Sequence, residues 1–299
     1  MKRKVIQIAN STQLVSLPRK WAQKYGINKG DELEIAETGN KLTVSIDKEP
    51  SIEVAKVKYT TSEKFIKRPI RLMYKLGYDE VEVQFEDSSV LEDIQSEMQN
   101  LLGFEIISQG RSSCTIKSVA TATDSEFDPI LRRIFLMLIS MAKDSYSLIT
   151  EKEFAKLKDI MLLEKTNNKL TLFCLRLLGK KGYKDYRRTP LVYSMVNQLE
   201  YLADDFRDLC NYVMTEKPKL GKKALSCYKL VGDQLEFFYK LFYKTNIDVK
   251  ELYQFKQNKL DILKQATFLL NSSSKQENYF AHFLLKINDA LYHALEHIH

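Results

Sequence analysis

Ser11-Thr12-Gln13-Leu14-Val15-Ser16-Leu17-Pro18-Arg19-Lys20-Trp21 reads as a short strand that stops at a proline and turns into a helix. Pro18 cannot donate to a sheet ladder but fits the first turn of a helix. Ser16 offers a hydroxyl as a cap just before it. The helix is expected over Arg19 to Tyr25, ending at Gly26, a residue suited to the left-handed cap conformation. Around it lie three further strand-like stretches, Lys4–Ala9, Glu32–Glu37 and Lys41–Ile46, the last two joined by Gly39-Asn40, which suits a tight hairpin. The charge is lopsided. Between Met1 and Gly30 the charged residues are Lys2, Arg3, Lys4, Arg19, Lys20, Lys24 and Lys29, without an acid; Asp31, Glu32, Glu34, Glu37 and Asp47 follow.

A strand, a helix and a hairpin in about fifty residues cannot comfortably bury their own apolar surface, so a partner is expected. The pattern Leu14-Val15-Ser16-Leu17-Pro18-x-x-Trp21, then Tyr25-Gly26-Ile27-x-x-Gly30-Asp31-x-Leu33-x-Ile35, resembles an AbrB/SpoVT-type swapped-hairpin DNA-binding domain. The resemblance implies that two copies interleave their strands into one dimeric sheet and that basic residues on one face hold DNA. The residues to carry that contact are Lys2, Arg3, Lys4, Arg19, Lys20 and Lys24. Arginine can grip guanine with two hydrogen bonds, which makes Arg3 and Arg19 the candidates for base reading.

The whole chain bounds the remaining possibilities. Its 299 residues suffice for two or three domains, and 44% hydrophobic with 28% charged content is that of a globular protein. A net charge of +7 permits nucleic-acid contact. With only 10 glycines and 6 prolines, a mostly helical chain is expected. Cys114, Cys174, Cys210 and Cys227 lie far apart, as reduced thiols of a cytoplasmic protein do, and not as a zinc site or disulfide framework. The basic start leads into Ile6-Gln7-Ile8-Ala9-Asn10, too short and polar for a signal peptide, and the longest apolar run, Ile134 to Ala142, is about half of what spans a bilayer. A cytoplasmic protein without membrane insertion is expected.

Residues 49–122 alternate strand and helix signals. Strands are expected at Ile52–Tyr59, Val81–Phe85, Glu105–Ser108 and Cys114–Val119. One helix is expected from a Thr61 or Ser62 cap to Leu76, stopped by Gly77, and a second from Ser89 to Leu102, stopped by Gly103. This is a small α/β module, a sheet covered by two helices, in which Lys67, Arg68 and Arg71 read as a solvated helix face.

From residue 123 to 299 the pattern changes to long helices, opening at Asp128-Pro129. Breaks near Ser147–Thr150, Gly179–Tyr186, Lys217–Gly221, Thr245–Asp248 and Asn271–Ser274 divide this part into six helices, which pack as two three-helix bundles in tandem. Within the third, Glu200 and Asp204 are four apart, so both carboxylates project from one face and can hold a divalent cation. Leu199-Glu200-Tyr201-Leu202-Ala203-Asp204 resembles the metal-binding motif of the PhoU family of phosphate-uptake regulators. Leu102-Gly103-Phe104-Glu105-Ile106-Ile107 and Leu131-Arg132-Arg133-Ile134 resemble archaeal-type relatives that fuse an AbrB-like domain to a PhoU-like one. The resemblance implies iron, zinc or magnesium clusters, but the residues depart from it. Where acids facing Glu200 are expected stands Glu164-Lys165-Thr166-Asn167-Asn168-Lys169, and in Leu285-Lys286-Ile287-Asn288-Asp289 only Asp289 remains. No full metal cluster, and no other cofactor, is expected.

His293 and His297 share a helix face near the end, read as a solvated terminal turn rather than a zinc clasp. Phe237, Phe238, Tyr239, Phe242 and Tyr243 read as bundle core with an exposed edge. No glycine-rich phosphate loop, nucleophile elbow or Ser/His/Asp set occurs, so no enzymatic activity is expected. The expectation is a multidomain α+β chain: a swapped-hairpin domain over 1–48, an α/β module over 49–122 and an all-α pair of three-helix bundles over 123–299. It would act as a dimeric DNA-binding regulator of phosphate uptake. Two rival readings stand beside it: a regulator acting on a phosphate transporter or sensor kinase without functional DNA binding, and an antitoxin-like repressor.

Overall fold

A computed structural model describes residues 2–8, 12–38, 41–46, 52–59, 65–119, 126–246, 248–272 and 274–296. The chain divides into two compact units, residues 1–51 and 52–299.

The first unit holds two antiparallel hairpins and one short helix. Strand β1 (Val5–Ile8) pairs with β2 (Thr12–Val15), helix α1 (Arg19–Lys24) follows, and β3 (Glu34–Thr38) pairs with β4 (Lys41–Ser45). Pro18 itself is the residue before the helix, and its carbonyl accepts from Ala22 N at 3.0 Å. The expected Ser16 cap is not formed, because no side chain caps this helix. Gly26 at φ +62° turns the chain out of α1 as expected. The Gly39-Asn40 turn lies outside the described residues.

The second unit begins with a sheet in the order β5-β6-β8-β7. Strand β5 (Val54–Tyr59) runs parallel to β6 (Glu80–Phe85) through helix α2 (Lys67–Lys75), as a crossover requires. Helix α3 (Val90–Met98) leads to the antiparallel pair β7 (Phe104–Gln109) and β8 (Ser113–Ser118). Alternation puts Val81, Val83, Phe85, Cys114 and Ile116 inside. On the opposite side Lys56 pairs with Glu82 at 2.9 Å and Lys117 with Glu80 at 3.8 Å, each across one rung of the ladder.

The two helices here are shorter than their apolar patterns suggest. The Thr61 and Ser62 caps lie outside the described residues, and α2 begins at Lys67. Helix α3 stops at Met98 because Asn100 N and Leu101 N turn back onto the carbonyls of Glu97 and Met98, which tucks Leu101 into the core. The solvated face read at Lys67 and Arg71 is corrected. Lys67 pairs with Asp93, and Arg71 grips the fully buried Glu97 with two hydrogen bonds, 2.8 and 3.2 Å.

Six long helices complete the unit: α4 (Phe127–Thr150), α5 (Leu157–Lys181), α6 (Thr189–Glu216), α7 (Lys222–Phe242), α8 (Val249–Leu270) and α9 (Lys275–Glu296). Each pairs with its neighbours in two successive triples, α4-α5-α6 and α7-α8-α9, joined through α6 against α9 and α4 against α7. The break read near Ser147–Thr150 is where α4 ends, at Thr150. In its last turn the Ser147 hydroxyl donates to Glu151 and the Thr150 hydroxyl to the Tyr146 carbonyl. The four cysteines are all buried and free. Phe238 is core, while Phe237, Tyr239 and Phe242 pack beside it and Tyr243 forms the exposed edge. None of the described helices is long and apolar enough to cross a membrane.

Helix α5 fastens the sheet layer to the bundle through a buried arginine. Arg176 of α5, almost fully buried, donates to the carbonyls of Tyr74 (3.2 Å) and Tyr78 (2.6 Å) and to Asp79 Oδ1 (3.3 Å). Its guanidinium lies over the rings of Tyr74 and Phe104. Close approach is possible because Gly179 has no side chain: a Cβ there would stand 2.0 Å from the Lys75 carbonyl oxygen.

Candidate nucleic-acid interface

The hairpin register brings the basic residues together. Val5 lies opposite Val15 and Ile8 opposite Thr12, so the chain enters β1 and leaves β2 at the same end. Lys2, Arg3 and Lys4 precede that end, and Ser16 to Arg19 continue from it. Lys2, Arg3, Lys4, Arg19, Lys20 and Lys24 are all exposed. Lys24 lies over the Tyr25 ring at 5.0 Å, and Trp21 packs against the same ring at 5.8 Å. The first acid, Asp31, accepts from Asn28 N at 2.8 Å in the turn after the helix. One end of the first hairpin thus carries cations from two separate stretches. Such an arrangement can neutralise backbone phosphates.

The strands themselves are unfinished. No described residue of 1–51 is buried. Ile6, Ile8 and Leu14 share one face of the first hairpin and Val5 and Val15 the other, and all five are exposed. In the second hairpin Ile35 and Leu42 are 66% and 70% exposed. Apolar residues in this number, on both hairpins, call for a covering surface.

The carboxylates singled out as metal ligands meet cations of the protein instead. Glu200 faces Lys75 of α2 at 3.8 Å; burial raises its pKa, and Lys75 and Arg71 oppose that rise. Arg207, one turn beyond Asp204, puts Nη1 3.0 Å from Glu164 and 2.5 Å from Asp204, and Nη2 2.8 Å from Asp208. Asp289 pairs with Lys259 at 3.5 Å. Asp205 holds Lys286. With guanidinium and ammonium groups seated on these oxygens, the set does not fit a divalent cation, and no group of three ligating side chains occurs among the described residues. The cations that reach the carboxylates are Arg207, legible three residues after Asp204, and Lys75 and Arg71, brought by α2 from far along the chain. Beside this cluster Asn167 is fully buried, with neither amide atom hydrogen-bonded. His293 pairs with Glu296 at 3.4 Å, while His297 lies outside the described residues.

No curated protein and no solved structure matches the chain. Residues 6–53 match the family described as antidote-toxin recognition MazE, bacterial antitoxin, which supports the AbrB-like reading of the first unit.

Proposed function

We propose that this protein is a dimeric DNA-binding regulator. Its first unit grips DNA, and its helical unit receives the signal or partner. The observation that carries the reading is the convergence of Lys2–Lys4 with Arg19 and Lys20 at one end of a hairpin whose apolar faces are open. A second copy that interleaves its hairpins would cover those faces and double the cationic end about the dimer axis. The test is binding of the full chain to its own promoter DNA and to unrelated DNA of equal length, with mass by sedimentation. A dimer that prefers the promoter supports the proposal. A monomer, or equal affinity for both, refutes it.

The antitoxin-like reading is favoured by one observation, the family matched over residues 6–53. An adjacent toxin gene whose product forms a complex with this chain would establish it. Phosphate uptake as the process regulated, whether through a promoter or through a transporter or sensor kinase, rests on the resemblance at Leu199–Asp204 and is the finer part of the proposal. Its check is whether the promoter bound controls phosphate-transport genes.

A further inference from the structure

Helix α8 carries two faces with different jobs. Phe255, Ile262, Ala266 and Leu269 are buried against α7 and α9. On an exposed face beside the buried one, Val249, Tyr253, Leu260, Leu263 and Leu270 recur with Lys256 and Thr267 at alternating spacings of four and three residues. Five of these seven positions are apolar, at the spacing a helix–helix seam uses. The seam is open along its length: Val249 is 78% exposed, Tyr253 62% and Leu260 43%. Helix α5, the middle helix of the first bundle, also packs against α2 of the sheet layer. Helix α8 is the middle helix of the second bundle, and its outer seam stands uncovered.

The charges name the occupant. Lys256 sits in the seam, and Lys250, Lys259 and Lys264 flank it. Lys259 is engaged with Asp289, whereas Lys250, Lys256 and Lys264 are exposed. The two acids of the helix lie elsewhere: Glu251 is bound to Lys244 in the first turn, and Asp261 is off the seam. Pairing this face with a second copy would set lysines against lysines. An interfacial membrane helix needs a broad apolar face, and here the apolar stripe is narrow, with Lys256 and Thr267 within it. We propose that the outer face of α8 docks an acidic amphipathic helix of a partner protein, with Leu260 and Leu263 as its apolar anchors and Lys256 and Lys264 selecting for acidic side chains. This docking is independent of the DNA-binding reading.

The test uses the full chain and a fluorescent designed helix of about four heptads, with Leu at the seam positions and Glu at the flanking ones. Its twin carries Lys at the flanks. By fluorescence anisotropy the Glu helix binds and the Lys helix does not. Leu260→Asp with Leu263→Asp weakens the Glu helix by about tenfold or more, and Lys256→Glu with Lys264→Glu exchanges the preference. These residues are exposed, so thermal melts matching the parent verify the fold. Equal binding of both helices, binding of neither, or indifference to the variants overturns the proposal. If the Leu260/Leu263 variant instead abolishes self-association in sedimentation, or flotation with anionic vesicles, the occupant is a second copy or a membrane and the proposal fails.

Discussion

Gly179 and Arg176 show how single residues weld a sheet layer to a helical bundle. A methyl group at Gly179 meets the Lys75 carbonyl at 2.0 Å, a contact that only backbone movement relieves. Gly179→Ala is therefore expected to lower stability by about 1–3 kcal/mol, read by denaturant unfolding, although alanine is the better helix former. An unchanged or raised stability would contradict the close approach. Burial of the thiols gives a second expectation. Cys114 is pushed up to about 11 and Cys210 and Cys227 to about 12 by desolvation. At pH 8 the folded protein should thus give almost no reaction with a colorimetric thiol reagent, and all four cysteines should react once it is unfolded. The linkage has a definite sign. The folded pKa values lie above the unfolded value of about 8.5, so this contribution to stability is complete below that pH and is lost as pH rises toward 11 and 12. Fast reaction of a native thiol at pH 8 would show a core more open than this one.

At the scale of elements, the carboxylate pair on α6 is part of an ionic junction. Glu200 and Asp204 were legible as a carboxylate pair because four residues make one helical turn. Arg207 was legible too, but its reach back to Glu164 on α5 was not, since that depends on how two antiparallel helices align. Lys75 and Arg71 were illegible as partners because α2 reaches this junction only once the sheet layer docks. The expectation is concrete: the melting temperature of protein purified without chelator is the same with excess EDTA and with added zinc, iron or magnesium. A rise of several degrees on adding metal would mean that a cation displaces Arg207. The strands and helices followed from period and punctuation. The Ser16 cap did not, because the sequence leaves open how that hydroxyl is used locally.

At the scale of the whole molecule, the open apolar faces and the basic end of the first unit are what the proposed dimer would use together. None of the described residues of this unit is buried, so its apolar faces call for a cover, and its cations gather at one end of the first hairpin. The charge asymmetry of residues 1–30 and the strand–proline–helix signature were fully legible, since both are local. That Lys2–Lys4 and Arg19 share a face was implied by the resemblance, and the register of β1 on β2 puts both stretches at one end of the hairpin. The most direct measurement is the affinity of the full chain for its promoter DNA across a salt series, compared with the Arg3→Ala/Arg19→Ala double variant. The account predicts a steep fall in log affinity with log salt for the parent, at about 0.9 per phosphate neutralised, with a shallower slope in the variant. It also predicts about 1–3 kcal/mol of lost sequence preference for each arginine that reads a base. Identical affinity and identical slope for the two proteins would contradict it.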